Sequence, residues 1–192
     1  MDAITALTQR ASVGKLTDPG PSAEEFETLI RAAVRAADHG QIRPWRFLKV
    51  TGRGLEALGE LYCRAALADN AGLSEPFQQK YRNMPLRAPC VLVVIASVTA
   101  HPKVPAQEQV ISAGACAQNV VNAAFALGLG AMWRTGEMAY HPVVEQGLGL
   151  AAEEQIVGYI YLGTPAMAVP GPKRLELADV CQSWPGATGQ ID

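Results

Sequence analysis

The sequence predicts a sheet domain of the α/β or α+β class, and three observations carry that prediction. Cys90 to Val98 is an unbroken apolar run rich in β-branched residues, the pattern of a strand buried on both faces. Phe26, Leu29, Ile30, Ala33, Val34 and Ala37 recur at helical spacing behind an S-x-x-E capping box at Ser22 and Glu25. Across 192 residues, 49% are hydrophobic and only 18% charged, enough apolar material for a core and too little charge for disorder.

The elements follow in order. Met1 to Arg10 reads as a short helix with Ile4 and Leu7 inward, and Pro19-Gly20-Pro21 is a firm break. The capped helix then runs until Gly40 ends it. Trp45 to Thr51 reads as a strand, and Leu55, Leu58, Leu61, Tyr62 and Ala65 mark another helix. From Ala68 to Pro89 the chain turns polar, with Phe77 and Tyr81 four apart on a short helix. His101 to Pro105 is a loop before a long central helix, Ala131 to Thr135 and Ile156 to Gly163 are strands, and a short helix lies near Val143. Past Pro165 the chain becomes Pro- and Gly-rich and irregular. The sum is about four strands among five or six helices.

No charge occurs between Gln109 and Trp133, a stretch long enough to span a bilayer. Gln118, Asn119 and Asn122 fall in its middle, however, and Gly128-Leu129-Gly130 breaks the helix before its end. Those amides would be costly in lipid. The expectation is a helix buried on all sides in the protein, or one lying at a subunit interface.

Sixteen Lys and Arg against eighteen Asp and Glu give a net charge of −2, which argues against a nucleic-acid or anionic-membrane partner. The four cysteines, Cys63, Cys90, Cys116 and Cys181, contain no C-x-x-C and are expected to be buried, reduced thiols. Met1-Asp2-Ala3-Ile4 has no basic, then apolar, signal pattern, so the cytoplasm is the expected compartment.

Gly147-Leu148-Gly149-Leu150-Ala151-Ala152 fits G-x-G-x-x-A, but a helical segment precedes it where a dinucleotide fingerprint needs a strand. There is no P-loop and no nucleophile elbow, and His39, His101 and His141 stand in no metal-ligand spacing. What remains is a set of cations. Arg10 ends the first helix, just before Ala11 and Ser12. Arg35 and His39 stand four apart on one face of the second helix, where proximity to a helix C-terminus would also explain them. Arg134 interrupts an apolar strand between Trp133 and Thr135, and must find an anionic or hydrogen-bonding partner.

Together these stretches resemble a family. Arg10-Ala11-Ser12, the run Arg35-Ala36-Ala37-Asp38-His39 leading to Arg43-Pro44-Trp45-Arg46-Phe47, Gly128 to Thr135, and Val157 to Pro165 resemble, in order and spacing, the FMN-dependent nitroreductases, most closely the compact bacterial NAD(P)H nitroreductases. The resemblance implies one α+β domain over residues 1–192, with a mostly antiparallel central sheet flanked by helices. It also implies an intertwined homodimer with FMN at the subunit interface, the tail from about residue 166 extending onto the partner. It implies that Arg10, Ala11 and Ser12 hold the phosphate and ribityl chain, and that Arg35 and His39 contact the cofactor from one subunit. Trp133, Arg134 and Thr135 would approach from the other side of the interface. Lys173 and Arg174 are further candidate phosphate ligands. Two positions depart from the family pattern: Gly14 stands where a second arginine is common, and Arg43 where glutamine is usual, so neither is carried over as a ligand.

The implied activity is ping-pong transfer of hydride from NADH or NADPH, through the flavin, to an electron-poor small-molecule acceptor such as a nitroaromatic or quinone. Residues 68–89 are the expected substrate cover, through Phe77 and Tyr81, unless both merely dock a helix to the core. Rival readings are a different FMN reaction on the same fold (a dehydrogenase, dehalogenase or flavin-consuming enzyme) and a flavin-binding dimer without turnover.

Overall fold

The sheet is built around one long buried strand, as the apolar run requires. The computed structural model describes residues 1–168, 171–172 and 175–184. Its helices are α1 (Ala3–Gln9), α2 (Ala23–Ala33), α3 (Arg53–Asp69), α4 (Glu75–Arg82), α5 (Ala106–Ala126) and α6 (Pro142–Gly147). Its strands are β1 (Leu16–Thr17), β2 (Trp45–Thr51), β3 (Cys90–Ser97), β4 (Gly130–Arg134) and β5 (Glu154–Pro165). The sheet order is β1-β5-β3-β2 with β4 also on β5, and every pairing is antiparallel. Mixed helix and antiparallel sheet is the α+β architecture expected.

The pleat of β3 divides the core in two. Val91, Val93 and Ile95 face α3 and α6, in a cluster with Leu58, Tyr62, Val144, Tyr159 and Tyr161. Cys90, Leu92 and Val94 face α2 and α5, with Leu29, Cys116, Val120 and Ile160. Both faces are covered, which is why the strand reads as a continuous apolar run and not as an alternation.

The capping box of α2 is present: Glu25 N–H donates to Ser22 Oγ, and Ser22 N–H donates to the Glu25 carboxylate. The helix stops at Ala33, however, seven residues short of Gly40. Its last turn tightens through Arg35 N–H to Ala32 O and Ala36 N–H to Ala33 O, and Asn119 of α5 donates to Ala32 O at 3.2 Å. A side chain from α5 thus satisfies a carbonyl that another helical turn would have used. Arg35 and His39 consequently do not share a helical face: Arg35 lies beyond the helix end and His39 opens a 3-10 turn, His39–Gln41.

One further expectation is corrected, and of the two alternatives for the central helix the protomer does not show burial on all sides. Ile4 and Leu7 of α1 point outward, 68% and 59% exposed, because Ala6 makes the buried contact. Helix α5 is buried along one face only, through Gln109, Ala113, Cys116, Ala117, Val120, Val121 and Ala124, while Ile111 is 62% exposed. Gln109 is itself fully used: its amide accepts from Thr99 N–H and donates to the Thr99 and Val104 carbonyls, pinning the loop before the helix.

Arg46 on β2 ties the sheet together at one end. Its Nε and Nη2 donate to the two carboxylate oxygens of Glu154, both at 2.6 Å, and Ser97 and the Ala151 N–H also donate to that carboxylate. Arg46 and these further donors hold the Glu154 carboxyl down to about 2 from an ordinary 4.5. A depressed carboxylate contributes stability above its ordinary value and loses it as the pH falls through the depressed one. Glu154→Gln is therefore expected to cost about 2 kcal/mol near neutral pH. In urea unfolding across a pH series, the gap between variant and wild type should close between 4.5 and about 2.

Candidate functional site

Strand register decides which side chains meet at the site. Met132 pairs with Tyr161, Trp133 with Ile160 and Arg134 with Tyr159. The period of two then puts Met132 and Arg134 on the face of Tyr159 and Tyr161, and turns Trp133 to the opposite face, where it packs with the α2–α5 cluster. Its indole lies across Gly158, where any Cβ would collide with Nε1, and donates to Val157 O at 3.3 Å.

On the Tyr159 side opens a cleft of about 520 Å³, lined by Tyr62, Tyr159, Tyr161, Met84, Met132, Met138, Arg87 and the stretch Trp133–Glu137. The Arg134 guanidinium lies over the Tyr161 ring, 5.6 Å from its centroid. Its Nε is buried and has no hydrogen-bond partner among the described residues, and the same holds for the Tyr62 hydroxyl. Tyr62 stands edge-on to Tyr159, ring centroids 5.6 Å apart, and Tyr159 donates to Met138 O at 2.8 Å. Burial raises the pKa of all three tyrosine hydroxyls, those of Tyr62 and Tyr159 well beyond the ordinary phenol range, so each remains a protonated donor.

The segment after α1 runs beside this cleft. Val13 N–H donates to Ala131 O at 2.9 Å, fixing Arg10–Gly14 against β4. A Cβ on Gly14 would come 3.9 Å from an Arg134 Nη. Ser12 is exposed, and Arg10 and Ala11 are half-buried. The first segment and Arg134 therefore meet within one protomer.

Arg35 and His39 lie elsewhere. Arg35 lines a second cleft of about 590 Å³ with Val34, Ala36, Asp38, Gln41, Arg43 and Trp45. The backbone there is strained: Gln41 and Arg43, neither of them glycine, have φ of 55° and 54°, and Asp38 accepts from Arg43 N–H at 2.7 Å. His39 Nδ1 is 2.7 Å from a Glu108 carboxylate oxygen, a hydrogen-bond contact that sequence spacing gave no means of finding. Arg43, set aside on sequence, shares this cleft with Arg35. Lys173 and Arg174 lie outside the described residues.

The segment 68–89 meets the cleft at its rim, but not through Phe77. Helix α4 is docked on α3, where Gly59 allows the Arg82 carbonyl to approach closer than any Cβ would permit, and Arg82 pairs with Glu60 and Glu75 at 3.0 Å. Phe77 is 55% exposed and does not line the cleft. Tyr81 instead donates to Glu137 at 2.7 Å, tying α4 to the cleft rim. Met84 and Arg87, just beyond α4, are the residues of this segment that reach the cleft.

An aromatic and methionine-lined cleft with cationic and phenolic donors left without partners among the described residues fits a flat aromatic ring system carrying an anionic group. Cys63, Cys90 and Cys116 are buried, and burial pushes the thiols of Cys90 and Cys116 up to about 11 and about 12, which makes them poor nucleophiles. Cys181, by contrast, is exposed. Among the described residues no group of His, Cys, Asp and Glu could hold a metal, and no helix is long and apolar enough to cross a membrane.

Comparison with known proteins converges. Residues 7–164 match the nitroreductase family. An Escherichia coli K12 protein named "Putative NAD(P)H nitroreductase YdjA" is 38% identical over 167 residues, 87% of this chain and 90% of its own. A Haemophilus influenzae protein, "Putative NAD(P)H nitroreductase", is 34% identical over 165 residues, 85% of this chain and 89% of its own. Among solved structures, a nitroreductase-like family protein from Bacillus cereus superposes with a TM-score of 0.82 at 23% identity, covering 97% of both chains. The fold is thus shared well beyond sequence similarity.

A buried guanidinium nitrogen without a partner costs the ligand-free protein more than the Tyr161 contact returns. Arg134→Met is therefore expected to stabilise the ligand-free protein by about 1 kcal/mol, read from urea unfolding at neutral pH.

Proposed function

The chain belongs to the nitroreductase family, and on that premise we propose that it is an FMN-dependent oxidoreductase, drawing electrons from NADH or NADPH. The acceptor is an electron-poor small molecule, a nitroaromatic or quinone, and donor and acceptor occupy the site in turn. The flavin, when bound, supplies the chemistry of taking up two electrons as hydride from one substrate and giving them to the other.

The observation that carries this reading is the buried, partnerless Nε of Arg134 at the end of an aromatic cleft, beside the Arg10–Gly14 segment. Arg10 and Arg134 bind the phosphate through charge and the forked geometry of guanidinium, and the Ser12 hydroxyl and Ala11 line the ribityl chain. Thr135 shapes the cleft against the ring system, and Trp133, its indole held over Gly158 on the opposite face of the sheet, fixes the strand that carries Arg134.

Two copies make the complete site. Arg35 and Arg134 line different clefts of one protomer. Ile4, Leu7, Val34, Ile111 and Leu127 are exposed on α1, α5 and the ends of α2 and α5, an apolar surface that a second copy would cover. In the dimer, Arg35 and His39 of one protomer complete the cleft of its partner. Glu108 fixes the His39 ring through Nδ1 and leaves Nε2 to face the ligand. Positive charge from this side favours the negative charge that reduction brings to the cofactor.

An absorbance spectrum before and after anaerobic addition of NADH, then NADPH, tests the reading. A flavin band that bleaches is the expected result; a band that persists would leave a flavin-binding dimer without turnover, and failure to take up FMN would refute the reading altogether. Arg10→Ala should weaken FMN binding at least about tenfold, the loss of one charge-assisted contact, measured by quenching of flavin fluorescence.

A further inference from the structure

Arg87 has no role in the reading above, yet the fold delivers it to the same cleft as Arg134. It ends a 3-10 turn, Pro85–Arg87, whose neighbours Pro85 and Ala88 are both buried, so its backbone is held firmly while its side chain is exposed. Among the described residues it makes no ion pair, whereas Arg46 and Arg82 both do. The carboxylate on the cleft rim, Glu137, accepts from the Tyr81 hydroxyl. The fields of Arg134 and Arg87 both reach the Tyr161 hydroxyl and oppose the effect of its burial. Two guanidinium groups of like charge thus line one aromatic-walled cleft, whose one carboxylate, Glu137, is engaged by Tyr81, and two buried polar atoms of the lining, Arg134 Nε and Tyr62 Oη, lack partners among the described residues. Such an arrangement repels itself until an anion enters.

We propose that Arg87 and Arg134 bind one oxyanion at this end of the cleft, making Arg87 an anion-binding residue of the site. The inference rests on the proposed function in one respect: the oxyanion is either the phosphate of the flavin or an acidic group on the acceptor. Both offer the geometry that a guanidinium fork prefers. Arg87 is exposed and unpaired, so its replacement leaves the core intact.

The test compares wild type with Arg87→Gln and Arg87→Lys, each checked for an unchanged thermal midpoint without ligand. Flavin-free protein is titrated with FMN, riboflavin and inorganic phosphate, following flavin fluorescence for the first two and the heat of binding for phosphate. A phosphate source predicts FMN binding about tenfold weaker in Arg87→Gln, intermediate in Arg87→Lys, with riboflavin affinity little changed. An acceptor source predicts unchanged FMN binding and a rise of about tenfold in the ratio of KM for 4-nitrobenzoate to KM for nitrobenzene. If FMN affinity and that ratio both stay within twofold of wild type, the inference is overturned while the functional reading stands. If wild type binds no flavin, the functional reading fails on its own. The phosphate titration then decides the inference: weaker phosphate binding in Arg87→Gln supports it, and equal binding refutes it.

Discussion

A guanidinium at the end of an otherwise apolar strand sets the terms for the rest of this site. Arg134 follows Ala131, Met132 and Trp133 into a sheet whose pleat turns it toward Tyr159 and Tyr161. The ring of Tyr161 shelters its flat face, but none of the described residues satisfies Nε. A folded chain tolerates such a donor only when a ligand supplies the partner or when function requires the cost. The close path of Arg10–Gly14, the methionine and tyrosine lining and the second arginine at position 87 are all consistent with a ligand that is aromatic at one end and anionic at the other.

The sheet provides the rigidity this arrangement needs. β5 carries β3 and β4 along the same stretch, so the positions of Tyr159 and Tyr161 relative to Arg134 are fixed by ladder hydrogen bonds and not by loops. Gly158 is the position where the sheet yields on the face behind the cleft, since the Trp133 indole occupies the space a side chain would take. The second cleft is built differently, from a short turn with left-handed Gln41 and Arg43 held by Asp38. Backbone strain of this kind persists where surrounding contacts over-determine it. The proposed dimer gives that strain a purpose, by presenting Arg35 and His39 to a partner's cleft.

Much of this was legible in the sequence, and what escaped has identifiable causes. The buried strand, the capping box of α2, the paired apolar face of α3 and the helical context of Gly147-Leu148-Gly149 all follow from local pattern, because each depends on neighbours within a few residues. The end of α2 does not: periodicity carries on through Val34 and Ala37, and only the Asn119 amide, distant in sequence, stops the helix at Ala33. The same limit hid Tyr62, Arg87 and Tyr161. Each reads as core or surface alone, and they become a site only when α3, the turn before β3 and strand β5 are packed around one cleft. Arg134 was visible because it violates its own local pattern, which is how functional residues announce themselves in a sequence.

The claim that joins these observations is that Arg35 of one protomer and Arg134 of its partner serve one flavin. Mixed dimers test it most directly. Arg35→Ala and Arg134→Ala chains, each separately tagged, are co-expressed, and the heterodimer is isolated and its FMN content measured beside the two homodimers. A shared site predicts that both homodimers lose tight flavin binding while the heterodimer regains one intact site, holding one FMN per dimer. If the site lies within a single protomer, every site in the heterodimer keeps one defect and no binding returns, which would contradict the shared arrangement.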